Sequence, residues 1–232
     1  FSINPVTNNK NQIVIEAVWG LGDYIVQGVV TPDHYVVNKT DFVIHSRLVS
    51  DQTIMEVYKH PSGVKQVKVD KKKIKLQKLS DDQIIKLSNF ASQIHNHYFF
   101  PQDMEWAIQK GEIFITQSRP ITTINLINST RQEIDPKSVD RLKNIITGAP
   151  ASPGFASGPV KIIKSLDHLE DVKDGDIMVT VMTSPDFVPA MKRSAGIITD
   201  KGGQTSHAAI VSRELGVPAV VGTKNASTVL KT

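Results

Sequence analysis

What most constrains the fold of this chain is a change in its hydrophobic rhythm about halfway along. Up to about residue 123, apolar residues come in short runs bounded by Gly, Pro, Asn and Asp, the pattern of strands joined by turns. From Gly148 on, "GAPASPGFASGPVKII", "GDIMVTVMTSPDFVPAMKRSAGIITD", "HAAIVSRELG" and "VPAVVG" alternate strand-like runs with helical stretches. That is the grammar of a compact α/β unit. The polar, aperiodic "NLINSTRQEIDPKSVDRLKNIITG" between them predicts a linker or a peripheral helix, with the domain boundary inside it. The expected division is 1–123, a linker over 124–147, and 148–232, with an α/β (α+β) class overall.

Within the first tract, Val-Ile-Glu-Ala-Val, Tyr-Ile-Val-Gln-Gly-Val-Val and His-Tyr-Val-Val-Asn look like strands with short connections. "LSDDQIIKLSNFASQIHNHY" places Ile84, Leu87, Phe90 and Ile94 at helical spacing, so a helix is expected from about Asp81 to His97, capped by Ser80 or Asp81. "QDMEWAIQKGEIFITQSRPIT" reads as a hairpin around Lys110-Gly111, with Pro120 ending its second strand. If the loop has three residues centred on Gly111, Glu105 falls opposite Gln117 on one face, with Arg119 further along it; a two-residue turn would separate them. A carboxylate beside an amide oxygen offers hard ligands suited to Mg²⁺, and an arginine alongside can meet phosphates.

Composition removes several function classes. The chain has no cysteine, so disulfides, thiolate metal sites and cysteine nucleophiles are excluded, which fits a reducing compartment and makes the cytoplasm the expected location. No apolar run approaches the roughly 20 residues needed to span a bilayer, so no membrane partner is expected. A first residue other than Met suggests a piece of a longer chain. Net charge is +4, concentrated between Lys59 and Lys78, where Asp70 is the single acid. Valine, isoleucine and leucine interleave those lysines and no aromatic does, so they read as solvated strand edges rather than a nucleic-acid surface. His95 and His97 fall on different faces of the expected helix and do not share a metal; Trp19 and Trp106 read as packing residues.

The strongest chemical signal is "TDKGGQTSHAAIVSRELG". Thr205 or Ser206 suits an N-cap, Ala208 to Leu215 a short helix and Gly216 its C-terminal cap, which puts His207 in the first turn. There, unpaired N–H groups and the positive end of the helix dipole attract an anion, and Gly202 and Gly203 let backbone approach closely. A neutral imidazole is a competent nucleophile, and a phosphoryl group placed on it would meet donors already oriented for its charge.

"GGQTSHAAIVSRELGVPAVVG", with "ASPGFASGPV" and "KRSAGIITDKGG", resembles the phosphohistidine motif of the phosphoenolpyruvate-utilising enzymes: phosphoenolpyruvate synthases, pyruvate, phosphate dikinases and the first enzyme of the sugar phosphotransferase system. The resemblance implies a swivelling phosphohistidine domain in which His207 carries the phosphate. Thr205 would be its hydrogen-bonding neighbour, with Gly202, Gly203 and Ser206 as the phosphate cradle.

"FSINPVT", "IVIEAVWGLGDYIVQGVVTPDHYVV" and the hairpin resemble the later part of the ATP-binding domain of the synthase branch, an ATP-grasp-type fold. That implies ATP as substrate, Mg²⁺ held at Glu105 and Gln117, and Arg119 on nucleotide phosphates. Glu16, Gly20 and Gly22 have two readings, approach to the nucleotide or a strand-end turn. Thr183, Ser184 and Asp186 likewise either approach the histidine or cap a helix before Phe187.

The branch implies pyruvate and phosphoenolpyruvate as the other ligands, with a preceding half of the ATP domain and a following pyruvate-binding barrel in the complete polypeptide. Residues 1–232 alone would then not turn over. The resemblance also implies a regulatory kinase acting on Thr205. The alternative readings are a pyruvate, phosphate dikinase or another phosphotransferase of the same family, or a phosphocarrier without catalysis of its own.

Overall fold

In a computed structural model the described residues are 1–121 and 145–232, so the expected linker lies, over 124–144, outside them. The chain is mixed α/β and divides into two compact units, Phe1–Tyr24 with Thr31–Ile124, and Ile25–Val30 with Asn125–Thr232.

The first unit is built on an antiparallel sheet of β1 (Gln12–Ala17), β2 (Asp33–Asn38) and β3 (Ile44–Leu48), in that order. Between β1 and β2 the expected strand over Tyr24–Val30 is absent. Asp23–Val26 form one helical turn, α1, none of whose residues is buried. Apolar composition favours a strand in this stretch, but no neighbouring backbone offers a ladder, and the turn closes when the Gly28 N–H bonds Ile25 O at 3.0 Å.

A two-stranded sheet, β4 (Ile54–Tyr58) with β5 (Val64–Lys68), follows. Then comes α2 (Asp81–Tyr98), started by a capping box in which Ser80 and Gln83 each satisfy the other's backbone N–H. Ile84, Leu87 and Ala91 of α2 bury against Ile13, Ile15, Tyr35 and Val37 of the sheet. The hairpin β6 (Gln102–Gln109) and β7 (Glu112–Pro120) lays Met104, Trp106, Ile108 and Ile113 onto the same core. That apolar face is what turns the alternate residues of the hairpin outward.

One lysine of the basic tract departs from the solvated reading. Lys65, Lys68 and Lys71 to Lys73 are exposed, but Lys78 is buried, its Nζ 2.7 Å from Asp33 Oδ1 and also bonded to Ser50 O. Asp33 accepts further bonds from the Lys78 N–H at 2.8 Å, the Ser50 N–H at 2.9 Å and the Tyr35 hydroxyl at 2.7 Å. Burial, then the Asp33 carboxylate, pushes Tyr35 ionisation well above its ordinary range, so the phenol stays a donor.

Trp19, expected as packing, lies half-exposed under Lys73, whose Nζ is 5.6 Å from the ring centroid. Trp106 packs as expected.

The second unit is a five-stranded sheet in the order β8 (Ala149–Ser152), β12 (Ala219–Val221), β11 (Gly196–Thr199), β10 (Ile177–Thr180), β9 (Val160–Ile163). The last four are parallel and β8 is antiparallel. Helices α3 (Val188–Arg193) and α4 (His207–Leu215) supply the crossovers, and α5 (Ala226–Val229) follows β12. Met178, Ile197, Ala219 and Val221 of the sheet pack with Ala190 and Met191 of α3 and with Ala208 and Ala209 of α4. The loop before α4 thus leaves the carboxyl end of a central parallel strand, where open α/β sheets collect their ligands.

Asp33→Ala leaves the Lys78 ammonium buried without its counter-charge and should cost the first unit about 3–5 kcal/mol. Both tryptophans lie in that unit, so a lowered urea midpoint in tryptophan fluorescence checks it, and an unchanged midpoint contradicts it.

Candidate functional site

The loop Asp200–Ser206 is fixed at both ends by its own backbone. Asp200 and Lys201 donate N–H bonds to Thr180 O at 3.1 Å and Val181 O at 3.0 Å. At the far end, the buried Arg213 of α4 donates from Nη2 to Gln204 O at 2.8 Å and from Nη1 to Ala151 O at 2.9 Å. Gln204 Nε2 adds a bond to Pro150 O at 3.1 Å.

Helix α4 starts at His207, one residue before the sequence-based expectation, with Ser206 at the N-cap and Gly216 left-handed (φ 68°) at the C-terminus. The Ser206 hydroxyl does not cap; it donates to Gly203 O at 2.7 Å. Donors of the first turn are therefore left for something other than that side chain. Gly202 has φ 102°, and a Cβ there would stand 2.9 Å from Ser206 Oγ, so the loop needs glycine for both conformation and space.

His207 is half-buried, and its Nδ1 lies 2.9 Å from Thr183 Oγ1 in the loop after β10. Thr183 is one of the residues with two sequence readings, and the fold brings it to the histidine. Ser184 instead donates to Asp186 at 3.3 Å and provides no side-chain cap to the short turn Pro185–Phe187. Thr205 is half-buried beside Ser206.

Burial lowers the His207 pKa below its ordinary 6.5, against the opposing pull of the Glu214 carboxylate two turns along α4. The ring is accordingly neutral at pH 7. If Nδ1–H donates to the Thr183 hydroxyl, Nε2 keeps its lone pair.

In the hairpin, the turn is the two-residue Lys110–Gly111 type with both residues left-handed (φ 51° and 84°), not the three-residue loop that pairing Glu105 with Gln117 was expected to require. The pairing is nevertheless there: Trp106 faces Ile115 while Glu105 faces Gln117, so Thr116 is an extra residue in β7. This bulge changes the phase of the strand. Ile113 and Ile115 point to the core before it and Ser118 after it, which leaves Gln117 and Arg119 outward with Glu105.

Arg119 is opposite Asp103, and its Nε and Nη2 both reach Asp103 Oδ2, at 2.9 and 2.8 Å. An exposed pair of this kind contributes little stability, about 0–1 kcal/mol, but it fixes the plane of the guanidinium. Sequence reasoning misses Asp103. The one signal that reaches it is the count back from Glu105 along one face of the strand.

Glu16 is buried, 3.5 Å from His34 Nδ1 across the β1–β2 ladder, while Gly20 is left-handed with its backbone against Glu56. The two candidate clusters fall in different units: His207, Thr205, Ser206, Gly202 and Gly203 in the second, Glu105, Gln117 and Arg119 in the first.

Residues 1–139 match the family described as pyruvate phosphate dikinase, AMP/ATP-binding domain, and residues 172–232 match the PEP-utilising enzyme, mobile domain. The chain belongs to the first of these families and carries the second as its continuation. Among individual relatives, all of this chain is similar to a probable phosphoenolpyruvate synthase of Pyrococcus horikoshii (48% identity) and to one of Archaeoglobus fulgidus (49%). A phosphoenolpyruvate synthase of Aeropyrum pernix is 37% identical over the whole chain. The chain spans 29%, 30% and 32% of those proteins respectively. Among the described residues no helix is long and apolar enough to cross a membrane.

The ring titration gives a direct test. An NMR titration should place the His207 midpoint below 6.5, and Glu214→Gln should lower it further by removing the opposing charge. Because the folded state binds the proton less well than the unfolded one, this group costs stability as pH falls through 6.5 and none well above it. A midpoint above 6.5 contradicts the assignment.

Proposed function

We propose that this chain is part of a phosphoenolpyruvate synthase (pyruvate, water dikinase), with His207 as its phosphoryl carrier and the hairpin as part of an ATP-grasp-type nucleotide site. The observation that carries this reading is an imidazole at the start of α4, its Nδ1 engaged by Thr183 and its neighbours a glycine loop without a Ser206 cap.

His207 Nε2 attacks the β-phosphorus of ATP. An N–P bond forms, the bond from that phosphorus to the oxygen bridging the α-phosphate breaks, and AMP leaves with the oxygen. Water then cleaves the outer anhydride and releases phosphate. Finally the N–P bond breaks as the enol oxygen of pyruvate, which has lost a methyl proton, takes the remaining phosphoryl group. Each step changes where negative charge sits rather than requiring a new protein nucleophile, so the chain's task is positioning and charge neutralisation.

In this reading Gly202, Gly203, Thr205, Ser206 and the first N–H groups of α4 receive the phosphoryl oxygens. Arg119, aligned by Asp103, meets the nucleotide phosphates. Glu105 and Gln117 fit Mg²⁺ in that two oxygen-bearing side chains share one exposed rung. Mg²⁺ takes few protein ligands and completes its shell with water and phosphate. When bound it neutralises charge on the phosphate oxygens. The name shared by the relatives supports pyruvate as the acceptor.

His207→Ala in the complete polypeptide should abolish pyruvate-dependent AMP formation, a fall of at least about 10³-fold. Retained activity would remove the proposal. Glu105→Ala should leave phosphoenolpyruvate-dependent labelling of His207 intact while slowing labelling from ATP by about 10²-fold. Labelling of His207 only by a separate phosphoprotein would instead make the chain a carrier.

A further inference from the structure

The first unit contains a carboxylate that its own fold leaves without a donor. Glu56 lies in the middle of β4 and is 8% exposed, and its Oε2 is buried with no hydrogen-bond partner. Beside it stands a second carboxylate, that of the exposed Asp23, within hydrogen-bonding reach. Among the described residues no lysine, arginine or histidine forms an ion pair with either. Burying a carboxylate beside a like charge is strongly disfavoured, so something positive belongs between the two.

The loop that carries Asp23 is pinned to β4. Trp19 exchanges two bonds with the Gln52 side chain, its N–H donating to Oε1 and its carbonyl accepting from Nε2, both at 2.8 Å. The Leu21 N–H donates to Glu56 O at 2.8 Å. Gly20 has φ 89°, and a Cβ there would stand 2.4 Å from Glu56 O, so nothing larger than glycine lets the loop come this close. Across the β4–β5 ladder Glu56 faces Gln66, and the two side chains share a face. The Tyr24 hydroxyl donates to Gln66 Oε1 at 3.1 Å, which leaves that oxygen a second lone pair. Three oxygen donors therefore gather here, a buried carboxylate with an exposed carboxylate and an exposed amide. Burial first, then the Asp23 carboxylate, raises the Glu56 pKa above its ordinary 4.5, the sign of a place that favours added positive charge.

We propose that Asp23 and Glu56 bind a hard divalent cation of the Mg²⁺ class, with Gln66 as a third oxygen donor. Mg²⁺ suits such a set because it takes one or two carboxylates and keeps several waters, which the exposed side admits. The ion ties the Gly20–Tyr24 loop to β4. None of these residues enters the nucleotide or phosphohistidine chemistry described above, so this cation site stands or falls apart from the synthase reading.

The probe is Mn²⁺, which shares the oxygen-ligand preference of Mg²⁺, added to the complete polypeptide without nucleotide. Mn²⁺ at about 1 mM should slow amide exchange of peptides covering Gly20–Tyr24 by about tenfold, as for a site with a Kd of about 0.1 mM. The same slowing should appear in Glu105→Ala, which removes a carboxylate of the hairpin. Glu56→Gln keeps the shape and removes the charge, and Asp23→Asn alters an exposed side chain; each should abolish the slowing, with Mn²⁺ binding there at least about tenfold weaker. Slowing in Glu56→Gln equal to wild type, or slowing lost in Glu105→Ala, overturns the site. No slowing in wild type overturns it too, and leaves a proton shared by Asp23 and Glu56 as the neutralising charge.

Discussion

The site around His207 depends on one buried cation satisfied by two backbone carbonyls. Arg213 lies in the same helix as His207, and its guanidinium bonds Gln204 O and Ala151 O. Inside a protein such a group is tolerated only when its donors are met, so the arginine imposes a geometry on whatever supplies the oxygens. What it fixes is the approach of the glycine loop to the helix start. With Gln204 held, Gly203 O is where the Ser206 hydroxyl can find it, and the serine that sits at the cap position turns away from the helix. The first N–H groups of α4, which no helix can satisfy from within, receive no bond from the Ser206 hydroxyl.

The hairpin solves a comparable positioning problem by different means. A regular ladder after a two-residue turn would set Thr116 against Glu105 and turn Gln117 into the core with Ile113 and Ile115. One extra residue, unpaired, reverses the phase for the remainder of β7. The apolar rungs near the turn anchor the hairpin on α2 and the first sheet, while the polar rungs beyond the bulge project carboxylate, amide and guanidinium together. Anchoring and the outward polar cluster thus come from two stretches of the same strands, and the bulge separates them.

How far the sequence can be read follows from the range of the interactions involved. Helix α2, the cap glycine Gly216, the hairpin and the alternating second half are legible because their signals are local: periodicity, capping residues and turn residues within a few positions. Tyr24–Val30 misleads because its β-branched residues favour a strand locally, yet Asp23–Val26 take a helical turn with no buried residue. Lys78 looks like one lysine in a solvated run; its pairing with Asp33 spans 45 positions, and no composition rule reaches that far. Thr183 stands out by its neighbours, yet its bond to His207 exists because the carboxyl ends of β10 and β11 are adjacent. Arg213 and the bulge have no local signal at all.

The electrostatics of His207 fit a group that must be uncharged at one moment and bear an anion at the next. Burial opposes the imidazolium, and so does the positive end of α4, since both disfavour added positive charge at that place. The same helix end that discourages a proton favours a phosphoryl group, because the sign of the added charge is reversed. Thr183 complements both states: a hydroxyl can accept from Nδ1–H whether Nε2 carries a lone pair or a phosphorus atom, so the ring need not reorient as the charge arrives or leaves. Glu214 opposes this bias, raising proton affinity from the solvent side of the helix. Burial and the Glu214 carboxylate thus act in opposite directions on the ring's proton affinity, with burial the larger.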